Sequence, residues 1–417
     1  MQEFSRSIKK YFSLFLFGIV ILTAQSQVSE VESLALSKSY SITSKVLKTD
    51  RVIQIYVPES YQKSVKKNYP VLYVLDGQDY FLPAVSYQKM LAKRGKFPEF
   101  IVVGLQTDRR KRRILFGRDS KLFIDFLKSE LITYIDTTYR TNKEKERLFF
   151  GWEVAGGFGI EILATEPSLF SGYILASPSN LWKPRLNALE KHLSTSNNND
   201  IPFVLMTAAK EESWLNDNKT LHSFFNNEKN KQLNWRYTIL DREEHHTTPF
   251  KTINEGIIDY FHNYKPVTFR TLKAYEDFGG LAGLKAFYKK RGERFGVSTE
   301  IDKSTKMFVL YNAVLENNYE RFLYYEKAFE GHIETNTRDS WFHRYASFYL
   351  KHGNIEQAKY VYEYALKKLG NTKLLHTGLG NVYVVEGKKK KAKKAYQNAI
   401  ALDPNYKSAL EGLENLK

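Results

Sequence analysis

Short apolar-rich runs recur through the first two thirds of this chain with helix-like stretches between them, and that alternation limits the possible folds most. Tyr69 to Leu75, Phe100 to Leu105, Arg147 to Phe150, Ser171 to Ala176, Pro202 to Thr207 and Trp235 to Leu240 are such runs. Arg51 to Val57 instead alternates apolar with polar residues. Helical patterns fill the intervals, as at Ser120 to Tyr134, Asn216 to Phe225 and Thr252 to Tyr264. A strand that is apolar at nearly every position has both faces covered, as in a parallel sheet flanked by helices. The expectation over residues 40–265 is a mostly parallel, doubly wound α/β sheet. A length of 417 residues leaves room for a further domain.

That further part begins after Lys265-Pro266-Val267, where strand signals fade and tyrosine-rich amphipathic helices take over. Leu379, Gly380, Tyr383, Gly387, Ala392, Tyr396, Ala399 and Pro404 match the spacing of a tetratricopeptide repeat, a helix-turn-helix unit of about 34 residues. One period earlier stand Tyr345, Ala346, Tyr349, Gly353, Ala358, Tyr362 and Ala365. The glycines suit the turn between paired helices, and the alanines let those helices approach closely. Residues 337–417 are therefore expected to be an all-α repeat region, closed by a capping helix through Ala409, Leu410, Leu413 and Leu416. Residues 266–336 form a helical connector with a degenerate unit around Thr305 to Glu330. Repeats of this type build a concave surface for a protein partner; His343 and Asn381 are candidate groove residues.

Arg6, Lys9 and Lys10 precede an apolar run from Phe12 to Ala24, then Gln25 and Ser26. A basic segment, a short apolar core and small residues at a cleavage point describe a secretory signal peptide over residues 1–26. The run is too short to span a bilayer comfortably, which takes about 20 residues. The mature protein is expected to be exported, periplasmic or secreted, with no membrane span. No cysteine is present, which excludes disulfides and thiolate chemistry. The net charge of +17 favours anionic neighbours. Two basic runs stand out, Arg109 to Arg113 and Lys388 to Lys394, but no nucleic-acid module accompanies them. A partner nucleic acid is not expected; both runs read first as solvated basic surface, with recognition of an anionic small-molecule ligand as the functional alternative for Arg109 to Arg113. Neither a cofactor nor a metal site is indicated.

Gly151-Trp152-Glu153-Val154-Ala155 lies between an apolar strand and a helix-like stretch, which is the context of the G-x-S-x-G nucleophile elbow. Small residues must stand two positions either side of the nucleophile, because larger ones collide across the bend. Gly151 and Ala155 satisfy that demand, yet the central residue is Glu153.

The α/β region resembles the putative-esterase family of α/β-hydrolases, which includes siderophore esterases, S-formylglutathione hydrolases and feruloyl esterases. The motifs that carry the resemblance are Tyr69 to Gly77, Phe123 to Leu127 with Ile135-Asp136 and Tyr139-Arg140-Thr141, Pro167 to Tyr173, Ala176 to Ser179, and His245 to Pro249. The resemblance implies an α/β-hydrolase fold, places His245 at the catalytic base, and puts the orienting acid at Glu211 in preference to its neighbour Glu212. It implies oxyanion donors at the Val154 amide and at Gly77. His246 is the lesser choice for the base.

Glu153 departs from the pattern, since a carboxylate has no hydroxyl proton to give to histidine and opposes a developing oxyanion. The leading expectation is a non-catalytic ligand- or partner-binding protein, with Glu153 ion-paired to His245. The alternative is an active carboxylic-ester hydrolase with an unconventional site. In that case Glu153 would serve as nucleophile or as general base on water, or Ser177 or Ser179 would substitute.

Overall fold

The computed structural model describes residues 37–195, 202–210, 219–223 and 234–416. The expected signal peptide and both acid positions, Glu211 and Glu212, lie outside the described residues.

An eight-stranded sheet is built from β1 (Lys38–Ser44), β2 (Thr49–Tyr56), β3 (Val71–Leu75), β4 (Ile101–Leu105), β5 (Arg147–Trp152), β6 (Gly172–Ala176), β7 (Phe203–Ala209) and β8 (Trp235–Leu240). Their order is β1-β2-β4-β3-β5-β6-β7-β8. β1 with β2 and β2 with β4 pair antiparallel; every later pair is parallel. β3, β4 and β6 are buried at every position, which is why each reads as an unbroken apolar run.

The helices of this region are α1 (Ser60–Lys63), α2 (Gly77–Ala92), α3 (Ser120–Phe126), α4 (Thr133–Thr138), α5 (Val154–Thr165), α6 (Lys183–Thr195) and α7 (Thr248–Tyr260). The single helix expected from Ser120 to Tyr134 is instead α3 and α4 joined by a π-helical turn, Leu127–Ile132. Phe116, Phe123, Phe149, Phe158 and Phe170 form the aromatic centre of the core between these helices and the sheet.

Beyond the sheet, α8 (Leu272–Asp277) and α9 (Gly280–Phe295) lead into paired helices. These are α10 (Lys303–Leu315) with α11 (Tyr319–Ala328), α12 (Asp339–Lys351) with α13 (Ile355–Leu369), and α14 (Lys373–Val385) with α15 (Lys389–Leu402), followed by α16 (Lys407–Glu414). Gly353 and Gly387 occupy the last two turns at positive φ; Asn317 takes that role, φ 51°, in the degenerate first pair. His343 accepts or donates a 2.9 Å bond with Tyr362, and Asn381 accepts one of 2.7 Å from Tyr396, so both proposed groove residues tie their own helix pair together.

The arm joins the sheet region through Arg294 of α9. Its guanidinium pairs with buried Glu146, just before β5, at 2.7 Å and lies against the rings of Tyr260 and Phe295. Among the described residues no helix is long and apolar enough to cross a membrane.

Candidate active site

β5 ends at Trp152 and α5 begins at Val154, so Glu153 alone makes the bend, with φ 55° and ψ −118°. A non-glycine residue at positive φ carries roughly 1–3 kcal/mol of strain and persists only where its surroundings fix it. Here the Glu153 amide donates to the Ala176 carbonyl at 3.0 Å, and its own carbonyl accepts from the Gly157 and Ser179 amides, each at 3.0 Å. A Cβ at Gly151 would lie 2.5 Å from the Ala155 carbonyl oxygen, so glycine is obligatory there. Ala155 is fully buried and is accommodated without displacing the bend.

The Glu153 side chain is buried, and guanidinium groups hold its carboxylate. Arg112 makes a close ion pair with it, and Arg113 approaches to 3.5 Å. Arg112, itself only 7% exposed, bridges onward. Its Nη2 donates to Asp76 at 2.7 Å and to the Trp152 carbonyl at 3.0 Å, and the guanidinium lies 5.2 Å from the Trp152 ring centre. Asp76 follows β3 in a left-handed conformation, φ 52°, and also accepts from the Thr107 hydroxyl beyond β4. Burial pushes the Asp76 carboxyl above its ordinary value, against the opposing pull of Arg112 and Thr107. The ion pair expected between Glu153 and His245 gives way to this network, because a permanently charged, forked guanidinium can satisfy two carboxylates at once.

His245 lies at the start of the turn into α7, buried, with its ring 4.8 Å from that of Trp152. Its backbone carbonyl accepts from Trp152 Nε1 at 3.1 Å and from the Thr248 hydroxyl at 3.0 Å. Thus the structure brings His245 beside the elbow. Val154 and Gly77 each open a helix, α5 and α2, at the ends of the paired strands β5 and β3. A cleft of about 260 Å³ is walled by Asp76, Asp79, Tyr80, Trp152, Glu153 and His246, with Arg109 and Arg113 exposed beside it; Gly77, Val154 and His245 do not line it. Ser177 is fully buried with its hydroxyl 3.2 Å from that of Thr248, and neither it nor Ser179 lines the cleft. Among the described residues no cluster of His, Asp and Glu could hold a metal ion.

Arg112, Asp76 and Trp152 are the site residues that motif reading did not assign. The run Arg109 to Arg113 was the available signal, but nothing in it distinguishes the one buried arginine from its exposed neighbours.

A family model described as "Putative esterase" matches residues 44–256, and a tetratricopeptide-repeat model matches residues 374–406. Ferri-bacillibactin esterase BesA of Bacillus subtilis (strain 168) is 28% identical over 204 residues, covering 40% of this chain and 70% of that protein. An IroE-like serine hydrolase from Shewanella oneidensis matches with a TM-score of 0.52 at 22% identity, over 70% of this chain and 100% of the other. An uncharacterised protein from Capnocytophaga ochracea DSM 7271 matches with a TM-score of 0.52 at 19% identity, over 91% and 99%. At these identities the two structures share the fold, and the second shares it across the helical arm as well.

Proposed function

The chain belongs to the putative esterase family, and from that premise we propose that it is a ligand-binding member that does not hydrolyse esters by the serine mechanism. Glu153 carries this reading. It stands in the left-handed position between strand and helix that the elbow reserves for its nucleophile, and its carboxylate is committed to Arg112 and Arg113. No hydroxyl is available there for His245 to deprotonate, and the negative charge opposes an oxyanion between the Val154 and Gly77 amides. Loss of a serine nucleophile removes roughly a million-fold in turnover.

The ligand class is anionic. Arg109 pairs with Asp79 at 3.3 Å and Arg113 with Glu153 at 3.5 Å, yet their side chains stay 80% and 78% exposed beside the aromatic walls of Tyr80 and Trp152, open to a second anion. The name of the Bacillus relative makes a ferric siderophore the first ligand to test. The basic and apolar N-terminal segment supports export with a mature start near Gln27. The repeat helices support a protein partner.

The test treats the purified protein with a fluorophosphonate probe, with short acyl esters, and with ferri-bacillibactin followed by tryptophan quenching. No labelling and no hydrolysis above solvent are expected, with saturable binding weakened at least tenfold by Arg109→Glu with Arg113→Glu. Ester turnover abolished by His245→Ala would overturn the reading in favour of an active hydrolase.

A further inference from the structure

The turn between α14 and α15 ends at Lys388, and the start of α15 carries Lys389, Lys390 and Lys391, then Lys393 and Lys394. Stability does not account for them. At the start of α11, Asn318 accepts from the Arg321 amide at 3.0 Å and Glu320 stands in the first turn. At the start of α13, Asn354 accepts from the Gln357 amide at 3.2 Å and Glu356 stands in the first turn. The same place in α15 is held by Lys388, with no capping bond and no acidic residue in the first turn. Cations at a helix N-terminus oppose its dipole, and the lost cap leaves amides unsatisfied.

The lysines also share one face. Ala392, Ala395, Tyr396 and Ala399 are the buried stripe of α15. At 100° per residue, Lys389, Lys390, Lys391, Lys393 and Lys394 sweep roughly 200° centred opposite that stripe. Lys388 pairs with Glu386 at 2.9 Å, whereas the other five make no ion pair among the described residues. Glu363 accepts from Tyr383 at 3.5 Å. Beside the lysines lie Val384 and Val385, 44% and 55% exposed at the end of α14. The turn is closed by the Lys388 amide on the Tyr383 carbonyl at 2.9 Å, and Lys391 Nζ stands 5.7 Å from the Tyr383 ring centre.

We propose that this turn is a peripheral contact site for an anionic lipid bilayer, with the lysines on the headgroups and Val384 and Val385 in the interfacial layer. Lysines alone suit any polyanion. An exposed aliphatic pair at the same tip gains only from an apolar surrounding, which a bilayer supplies and a nucleic acid does not. Each lysine near an anionic membrane raises partitioning roughly fivefold.

The test uses the full chain, whose N-terminal apolar run is common to every variant, on vesicles of phosphatidylcholine with and without phosphatidylglycerol. Changing Lys389, Lys390, Lys391, Lys393 and Lys394 together to glutamine should remove at least about a hundredfold of the phosphatidylglycerol-dependent partitioning, with thermal stability equal or higher. Val384→Ser with Val385→Ser should lower vesicle binding roughly tenfold while leaving retention on heparin unchanged. Unaltered vesicle binding in the lysine variant overturns the proposal. So does insensitivity to the valine changes, which would assign the patch to a soluble polyanion.

Discussion

Replacing Arg112 by methionine tests the electrostatic account of the cleft most directly. The wild-type guanidinium neutralises two buried carboxylates, Asp76 at 2.7 Å and Glu153 in closer contact. At an effective dielectric of about 20, one such pair near 4 Å between charge centres is worth about 4 kcal/mol before desolvation is counted. Arg112→Met leaves both acids buried with only the exposed Arg113 beside Glu153. Removing one partner of a buried pair typically destabilises by about 3–5 kcal/mol, and that range is expected near neutral pH. The sign with pH follows from the unpaired acids. Burial already holds the Asp76 carboxyl above its ordinary value, and losing Arg112 removes the largest opposing pull, so the folded variant binds an extra proton in mild acid and the deficit shrinks as pH falls. Glu153→Gln added to Arg112→Met should recover at least about 1.5 kcal/mol, because only Asp76 then remains uncompensated. Urea denaturation followed by tryptophan emission measures all three forms, with Trp152 reporting locally. A deficit under about 1 kcal/mol for Arg112→Met, or no coupling in the double variant, would refute the argument.

Glu153→Ser should make the protein react with a fluorophosphonate, since the bend at residue 153 is set by backbone bonds, and His245→Ala in that background should abolish the labelling. Arg294→Ala leaves Glu146, 5% exposed, without its cation, and should cost about 2–4 kcal/mol at the junction. Calorimetry should then split into separate transitions for sheet and arm. Burial, with Lys306 and Lys303 nearby, pushes His332 down to about 4. The unfolded chain takes up that proton first, near pH 6.5, so the stabilisation is complete above that pH and is lost as pH falls toward about 4. About 2.5 kcal/mol has been lost by about pH 4.5. His332→Gln should therefore lose less stability than wild type between about pH 7 and 4.5 in thermal melts followed by circular dichroism.

The central strands were legible because parallel strands covered on both faces are written as unbroken apolar runs, as in β3 and β6. β1 was not legible. Its sequence KSYSITS is largely exposed, and it is a strand only because it pairs antiparallel with β2 at the sheet edge. The elbow could be read from Gly151, whose position tolerates no Cβ. The identity of the carboxylate's partner could not. Arg112 is one of five consecutive basic residues, and its burial depends on Asp76, 36 positions earlier, which only the closed sheet brings within reach. His245 could be singled out only through the family motif, since a histidine pair before a helix has no chemical signature of its own.

β5 has a consequence for how the molecule bears force. The arm is clamped at one end of this strand by Glu146 and Arg294, and the bend at Glu153 lies at the other, roughly 23 Å away for seven residues of extended chain. β5 is flanked by β3 and β6, both parallel to it. The share of a pull on the arm that this ion pair carries, beside the covalent link from α7, enters the middle of the sheet at the start of β5, where its component along the strand loads both neighbours. The ladder bonds on both sides are then strained together, in shear, instead of parting one at a time as at a peeled edge. The clamp should yield before the ladder does. The cleft is in this sense mechanically isolated from its own handle.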